Sequence, residues 1–268
     1  MGTELVARPL VRDGMGDGTR VLAVRASGWL ALPAGLMVLV GVWALASARL
    51  AKPYLLPSPA AVVGSWWLHR ERILWHTGAT AAEIVFGFAV GFLVAAILGY
   101  VIYRSPTLDR FLTPYVVASQ AVPIVAVAPL LIFWFRAGTP VKVATAALIV
   151  FFPMLVTTVV GLRNIPTAYH ELMHVLSASR WQTLTALEVP AALPYLLGGV
   201  RVGVTLAVIG AVVGEFLGAD RGLGHLVQVS KGMYADPLLF ASLLTLVGLA
   251  LSLYGAAAVL ERTLLRRR

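Results

Sequence analysis

Residues 170–174 read His-Glu-Leu-Met-His, a set of side chains whose spacing could do chemistry. On a helix, residues four apart share a face, so His170 and His174 could hold one zinc ion while Glu171 between them activates a bound water. A hydrolytic zinc centre takes three protein ligands and keeps a position open for that water. Whether a third ligand can arrive depends on where this helix lies, and therefore on the elements around it.

Those elements belong to a membrane protein. Of 268 residues, 59% are hydrophobic and 12% charged, and the mean hydropathy is +0.87, far above that of a chain with a solvated surface. There is no cysteine, which excludes disulfides, thiol nucleophiles and cysteine metal sites. The formal net charge of +9 comes from basic residues scattered between apolar stretches, as in juxtamembrane anchoring. No basic face interleaved with aromatics points to nucleic acid.

About twenty apolar residues cross a bilayer as a helix, and six stretches reach that length: 29–48, 80–103, 114–135, 141–162, 190–217 and 238–260. The first is too long for the apolar core of a cleaved signal and reads as a retained anchor. With the N-terminus in the cytoplasm, twelve Lys and Arg fall on the inner side and eight on the outer, which sets the orientation. Residues 1–27 then form a mobile cytoplasmic tail, and residues 28–268 the membrane domain. Trp66, Trp67 and Trp75 sit among charges in the first outer connector, where indole rings favour an interfacial helix.

Two spans carry marked patterns. In the second, Gly87, Gly91, Ala95 and Gly99 recur every four residues and offer a nearly bare face to another helix. In the third, Pro114, Pro123 and Pro129 accompany Ser119 and Gln120. Prolines bend a membrane helix, and polar groups on a bent helix can line a pathway, or the kink can serve packing alone.

The polar stretch 163–189 between the fourth and fifth spans contains the opening residues. In this topology it is cytoplasmic, while His69, His76 and His225 lie beyond a bilayer of about 30 Å. None of them can complete a zinc site. Glu188 adjoins Pro190 at the start of the next span, and the stretch contains no aspartate.

The same residues fit another pattern. From Glu171 the chain reads ELMHVLSASRWQTLTALEVPAALP, which resembles the cytoplasmic E-A-A-x3-G-x9-I-x-L-P motif of ABC importer permeases. Glu171 takes the acidic position, Ser177 the glycine, Leu187 the isoleucine, and Val189-Pro190 the Leu-Pro pair. Leu172 and Met173 replace both alanines. LSASRWQ at 176–182 is similar to the family's LGASRWQ, and PAALPYLLGGVR at 190–201 matches its usual continuation. QAVPIVAVAPLLIFWF at 120–135 and Phe151-Phe152-Pro153 resemble the sulfonate, taurine and nitrate branch. The likeness runs over about residues 53–262. Arg136 departs from it, standing where the family commonly has glycine. Glu83, where sulfonate-type proteins often have arginine, and VGEFLGADRGLG at 213–224 lean toward members linked to thiamine-precursor or riboflavin uptake.

The resemblance implies an all-α type I importer permease in the bacterial cytoplasmic membrane, with six spans and a cytoplasmic coupling helix. It implies two permease copies in the bilayer, two ATP-binding subunits and an extracytoplasmic solute-binding protein, moving a small organic solute. It also assigns ATPase coupling to Glu171, Leu172, Val175, Leu176, Ser177, Arg180, Trp181 and Pro190. The residue types suit that role: Glu171 and Arg180 offer charge-assisted contacts, the others mainly an apolar surface, and Pro190 with Pro194 would end the coupling element. His170 and His174 become ordinary polar surface. The chain has no Gly-x4-Gly-Lys phosphate loop, so ATP is expected on the partner and no cofactor on this chain.

Charges inside spans are costly. Glu83 and Glu215 stand at similar outer depth as candidates for the path or gate, and Glu215 could instead cap the break before Gly218. Arg201 is expected to anchor the fifth span. A secondary transporter using Glu83 and Glu215 for ion coupling is the other transport reading, and an intramembrane zinc protease the enzymatic one.

Overall fold

The computed structural model describes residues 17–50, 52, 54–119, 121–136 and 138–266. Among them are eleven α-helices, one π-helical turn and no strand. The chain divides into two units after Pro59. The first holds α1 (Asp17–Leu50), where Trp43 Nε1 donates to the Pro57 carbonyl at 3.0 Å. The expected tail over 1–27 lies outside the described residues as far as 16. From Asp17 onward the chain is helical, since nothing between Gly18 and Gly28 breaks a helix.

The second unit runs α2 (Pro59–Leu68), α3 (Arg70–Arg104), α4 (Pro106–Ser119), α5 (Ile124–Phe135), α6 (Thr139–Arg163), α7 (Thr167–Val175), α8 (Arg180–Thr183), a π-helical turn (Leu184–Glu188), α9 (Val189–Phe216), α10 (Leu223–Gly232) and α11 (Asp236–Arg266). Five helical stretches among the described residues are long and apolar enough to cross a membrane: Pro33–Leu50, Arg70–Arg104, Thr139–Arg163, Arg180–Phe216 and Asp236–Arg266. The sixth expected span, 114–135, is not one helix. It breaks between α4 and α5, because Pro123 has no N–H to give and forces the residue before it out of helical geometry. Pro114 and Pro129 stay inside their helices.

The centre is the α3–α6–α9 layer. Membrane helices gain little from the hydrophobic effect against each other, so close van der Waals approach must hold them. The small-residue stripe of α3 provides it. A Cβ on Gly91 would come within 2.5 Å of the Ala147 carbonyl oxygen, and one on Gly99 within 2.9 Å of Thr158 Cβ. On the opposite flank of α6, a Cβ on Gly210 of α9 would stand 2.5 Å from Ala146 Cα. With no side chain intervening on either flank, α6 is clamped between α3 and α9. Ile84, Ala95, Val150, Met154, Ala207 and Ala211 fill the core of this layer. At one rim, Trp66 Nε1 donates to Thr245 Oγ1 at 3.1 Å, tying α2 to α11.

Candidate functional site

At the end of the bundle where α3 and α6 finish and α9 begins, the stretch 163–189 is almost wholly ordered into helix. α7 ends in a Schellman closure: Ser177 N donates to the His174 carbonyl at 2.9 Å, and Ala178 N to that of Met173 at 3.0 Å. The closure puts Ser177 at φ 52°, in the left-handed region. The residue that replaces the motif's glycine therefore occupies a backbone that favours glycine. Ser177→Gly is expected to stabilise the protein by about 0.5–1 kcal/mol and Ser177→Val to destabilise it. A rise of about 2 °C in the melting midpoint in detergent checks this.

Ser179 starts α8 through a capping box, in which its hydroxyl accepts from Gln182 N and Gln182 Oε1 accepts from Ser179 N at 2.7 Å. The π-helical turn follows and runs directly into α9. Pro190, half-buried at the start of α9, thus does not end the coupling element as expected. A proline cannot donate to the carbonyl four residues back, and the wider turn before it takes up the mismatch without breaking the helix.

The outward face of this element is apolar. Leu172 is 52% exposed, Val175 79%, Leu176 65% and Trp181 71%, an unusual concentration for a segment this polar. Glu171 and Arg180 are exposed as well and enter no ion pair among the described residues. The inward face is tied down. The Tyr103 hydroxyl and His170 Nε2 are hydrogen-bonded at 3.0 Å, so His170 is not plain polar surface. Arg104 reaches the wholly buried Glu188 at 3.4 Å, and Arg163 pairs with Asp109. No group of three His, Cys, Asp or Glu among the described residues could hold a metal.

At the opposite end of the bundle lies a buried polar network. Lys142, in the first turn of α6, is completely enclosed, pairs with Glu83 and donates to the Arg221 carbonyl at 3.0 Å. Glu215 accepts from Thr80 Oγ1 at 2.6 Å and from Gly224 N. Leu223 N donates to Thr80 Oγ1 at 2.7 Å and Gly222 N to His76 Nδ1 at 3.0 Å. The free N–H groups that begin α10 are therefore satisfied by side chains of α3 and α9. Gly222 has φ 124°, and a Cβ there would fall on the Glu215 carboxylate. Glu83 and Glu215 are enclosed constituents of this network, each 2% exposed.

Arg201 of α9 pairs with Glu261 of α11. Ser119 is half-buried and donates to the Val116 carbonyl at 2.7 Å, closing the last turn of α4. Gln120 lies outside the described residues. Arg136 follows α5 at φ 61° and ψ 166°, a backbone almost reserved for glycine, which accounts for the residue the family favours there. The partners Lys142, Tyr103 and Glu261 were not singled out from sequence, and Glu188 was weighed there only as a possible third zinc ligand. A lysine within the first turn of an apolar span was the available signal, since such a charge needs a counterion.

The fold is that of a multi-pass helical membrane protein, with a capped helical element at one end of the bundle and a buried polar network at the other. The family model described as "Binding-protein-dependent transport system inner membrane component" matches residues 87–266, and the chain belongs to that family. It is 44% identical over 252 residues to the riboflavin transport system permease protein of Chloroflexus aurantiacus, covering 92% of this chain and 94% of that one. It is 35% identical over 230 residues to the formylaminopyrimidine transport permease protein of Halalkalibacterium halodurans, covering 85% and 92%. To the taurine transport permease of Escherichia coli it is 28% identical over 237 residues, covering 85% and 86%. Among solved structures, a chain of the inward-facing MetNI methionine ABC transporter matches with a TM-score of 0.61 at 21% identity, covering 74% of this chain and 96% of that one, a likeness of fold. The protein is thus an ABC importer permease subunit for small solutes, a transport component of the bacterial inner membrane and not an enzyme. Neither secondary transport nor zinc hydrolysis survives that assignment.

Proposed function

We propose that the chain forms the translocation path for a riboflavin-like or formylaminopyrimidine-like solute, working as a pair with two ABC ATPases that bind the ATP, and fed by a solute-binding protein. The capped α7–α8 element is the cytoplasmic surface that the ATPase engages. The observation supporting this most directly is the exposed set Leu172, Val175, Leu176 and Trp181, flanked by Glu171 and Arg180, which are exposed and enter no ion pair among the described residues. Large apolar side chains beside free opposite charges are the composition of an interface core with its rim. The higher identity to the riboflavin and formylaminopyrimidine permeases than to the taurine one supports the cargo class. Selection among such solutes rests mainly on the binding protein, because Glu83, Arg201 and Glu215 are already engaged by Lys142, Glu261 and the Thr80 hydroxyl.

Reconstitution of the permease with its ATPase and binding protein in proteoliposomes tests the reading. Uptake of riboflavin or formylaminopyrimidine should require ATP inside and binding protein outside. Uptake driven by an imposed pH gradient without nucleotide, or uptake of taurine in preference to both, would overturn it.

A further inference from the structure

We infer that Tyr103 and Arg104, the last two residues of α3, are positioning residues that grip the coupling element at two points and carry its displacement into the bundle. The inference rests on the ATPase-docking reading above and adds where the movement goes. Tyr103 is hydrogen-bonded to His170 of α7 at 3.0 Å. Its neighbour Arg104 pairs with Glu188, the final residue of the π-helical turn, at 3.4 Å. Glu188 is 0% exposed, and its second carboxylate oxygen has no hydrogen-bond partner. Arg104 is therefore the counterion of an enclosed charge, and losing it leaves that charge without an opposite charge at hand.

What α3 connects at its other end gives the grip its function. The helix runs 35 residues without a break, about 50 Å at 1.5 Å per residue. Near its start, His76, Thr80 and Glu83 hold the beginning of α10 and the Lys142 side chain. Along its length the Gly87, Gly91 and Gly99 contacts press it onto α6, so it cannot bend away from the layer without opening those contacts. A push on α7 thus passes through Tyr103 and Arg104 into a stiff rod whose far end holds the network at the opposite side.

The test measures solute taken up per ATP hydrolysed in proteoliposomes containing the complete complex, with riboflavin or formylaminopyrimidine as the probe according to which one the wild type transports. Tyr103→Phe and His170→Ala should leave the ATPase co-purifying and hydrolysing ATP while uptake per ATP falls roughly fivefold to tenfold, as expected for one hydrogen bond spent on coupling. The double variant should be no worse than either single one, because the two side chains serve one contact. His170→Gln, which keeps a hydrogen-bonding group, should restore most of the ratio. A role confined to folding would lower uptake and hydrolysis together and leave the ratio at its wild-type value. A wild-type ratio in Tyr103→Phe and His170→Ala, or a ratio in His170→Gln no better than in His170→Ala, overturns the inference with docking intact. Failure of the wild-type permease to retain any ATPase overturns the docking reading itself.

Discussion

Lys142→Met should lower stability by about 3–5 kcal/mol, the largest effect expected of any single substitution here. The side chain is completely enclosed, its ammonium is paired with Glu83, and it donates to the Arg221 carbonyl at 3.0 Å. Methionine fills much the same volume but brings no charge. Glu83 would be left with one carboxylate oxygen that already lacks a hydrogen bond and another that loses its counterion, within electrostatic reach of Glu215. The Arg221 carbonyl loses its donor as well, which loosens the turn leading into α10. In a chain of this length the loss corresponds to a melting midpoint lower by about 10 °C. Removing both partners should be far milder than removing one, since two apolar groups leave no stranded charge. Lys142→Met combined with Glu83→Leu is therefore expected to recover most of the midpoint. Fluorescence-detected melting of the three detergent-solubilised proteins decides the matter, and a single variant that melts with the wild type would mean that water reaches the pair.

Glu171→Ala should reduce uptake by about thirty-fold or more, the scale of losing an interface group worth ~2 kcal/mol. Its carboxylate is exposed beside Leu172 and enters no ion pair among the described residues. The permease alone therefore gains little from it, and the variant should melt with the wild type. A large loss of uptake at unchanged stability places the carboxylate on a partner. Retention of the ATPase through affinity purification supplies the direct measurement: full retention with normal uptake would show that the apolar patch docks without it.

These two residues also differ in how far they could be read in advance. Glu171 lies in a local pattern whose neighbours 176–182 and 190–201 carry its register, so its position on an exposed helix was legible. The stripe Gly87, Gly91, Ala95 and Gly99 was legible for the same reason, since a four-residue period is a property of one helix. Lys142 stands at the edge of the 141–162 span, and its role was not legible because its partner Glu83 is 59 positions away and nothing local relates them. The break at residues 120–123 lay behind apolar composition that was adequate for a span, and the backbone effect of Pro123 outweighed it. Ser177 and Arg136 show a further limit. Both were recognised as standing where glycine is usual, yet the reason, a positive φ at each, belongs to the backbone and not to the letters.

The π-helical turn at Leu184–Glu188 sets a phase. A helix turns about 100° per residue, and a π-helical turn amounts to one residue more than a regular helix would use. The azimuth at which Trp181 and the rest of the docking face leave α9 is therefore fixed by that single additional residue. Deleting any one residue from 184–188 would remove that additional residue and swing everything before it by about a quarter turn, with Pro190 left to kink a helix of regular pitch. The apolar patch would keep its composition and exposure while pointing at a different place. Across related chains, insertions and deletions in this stretch should be tolerated only where they leave that angle unchanged.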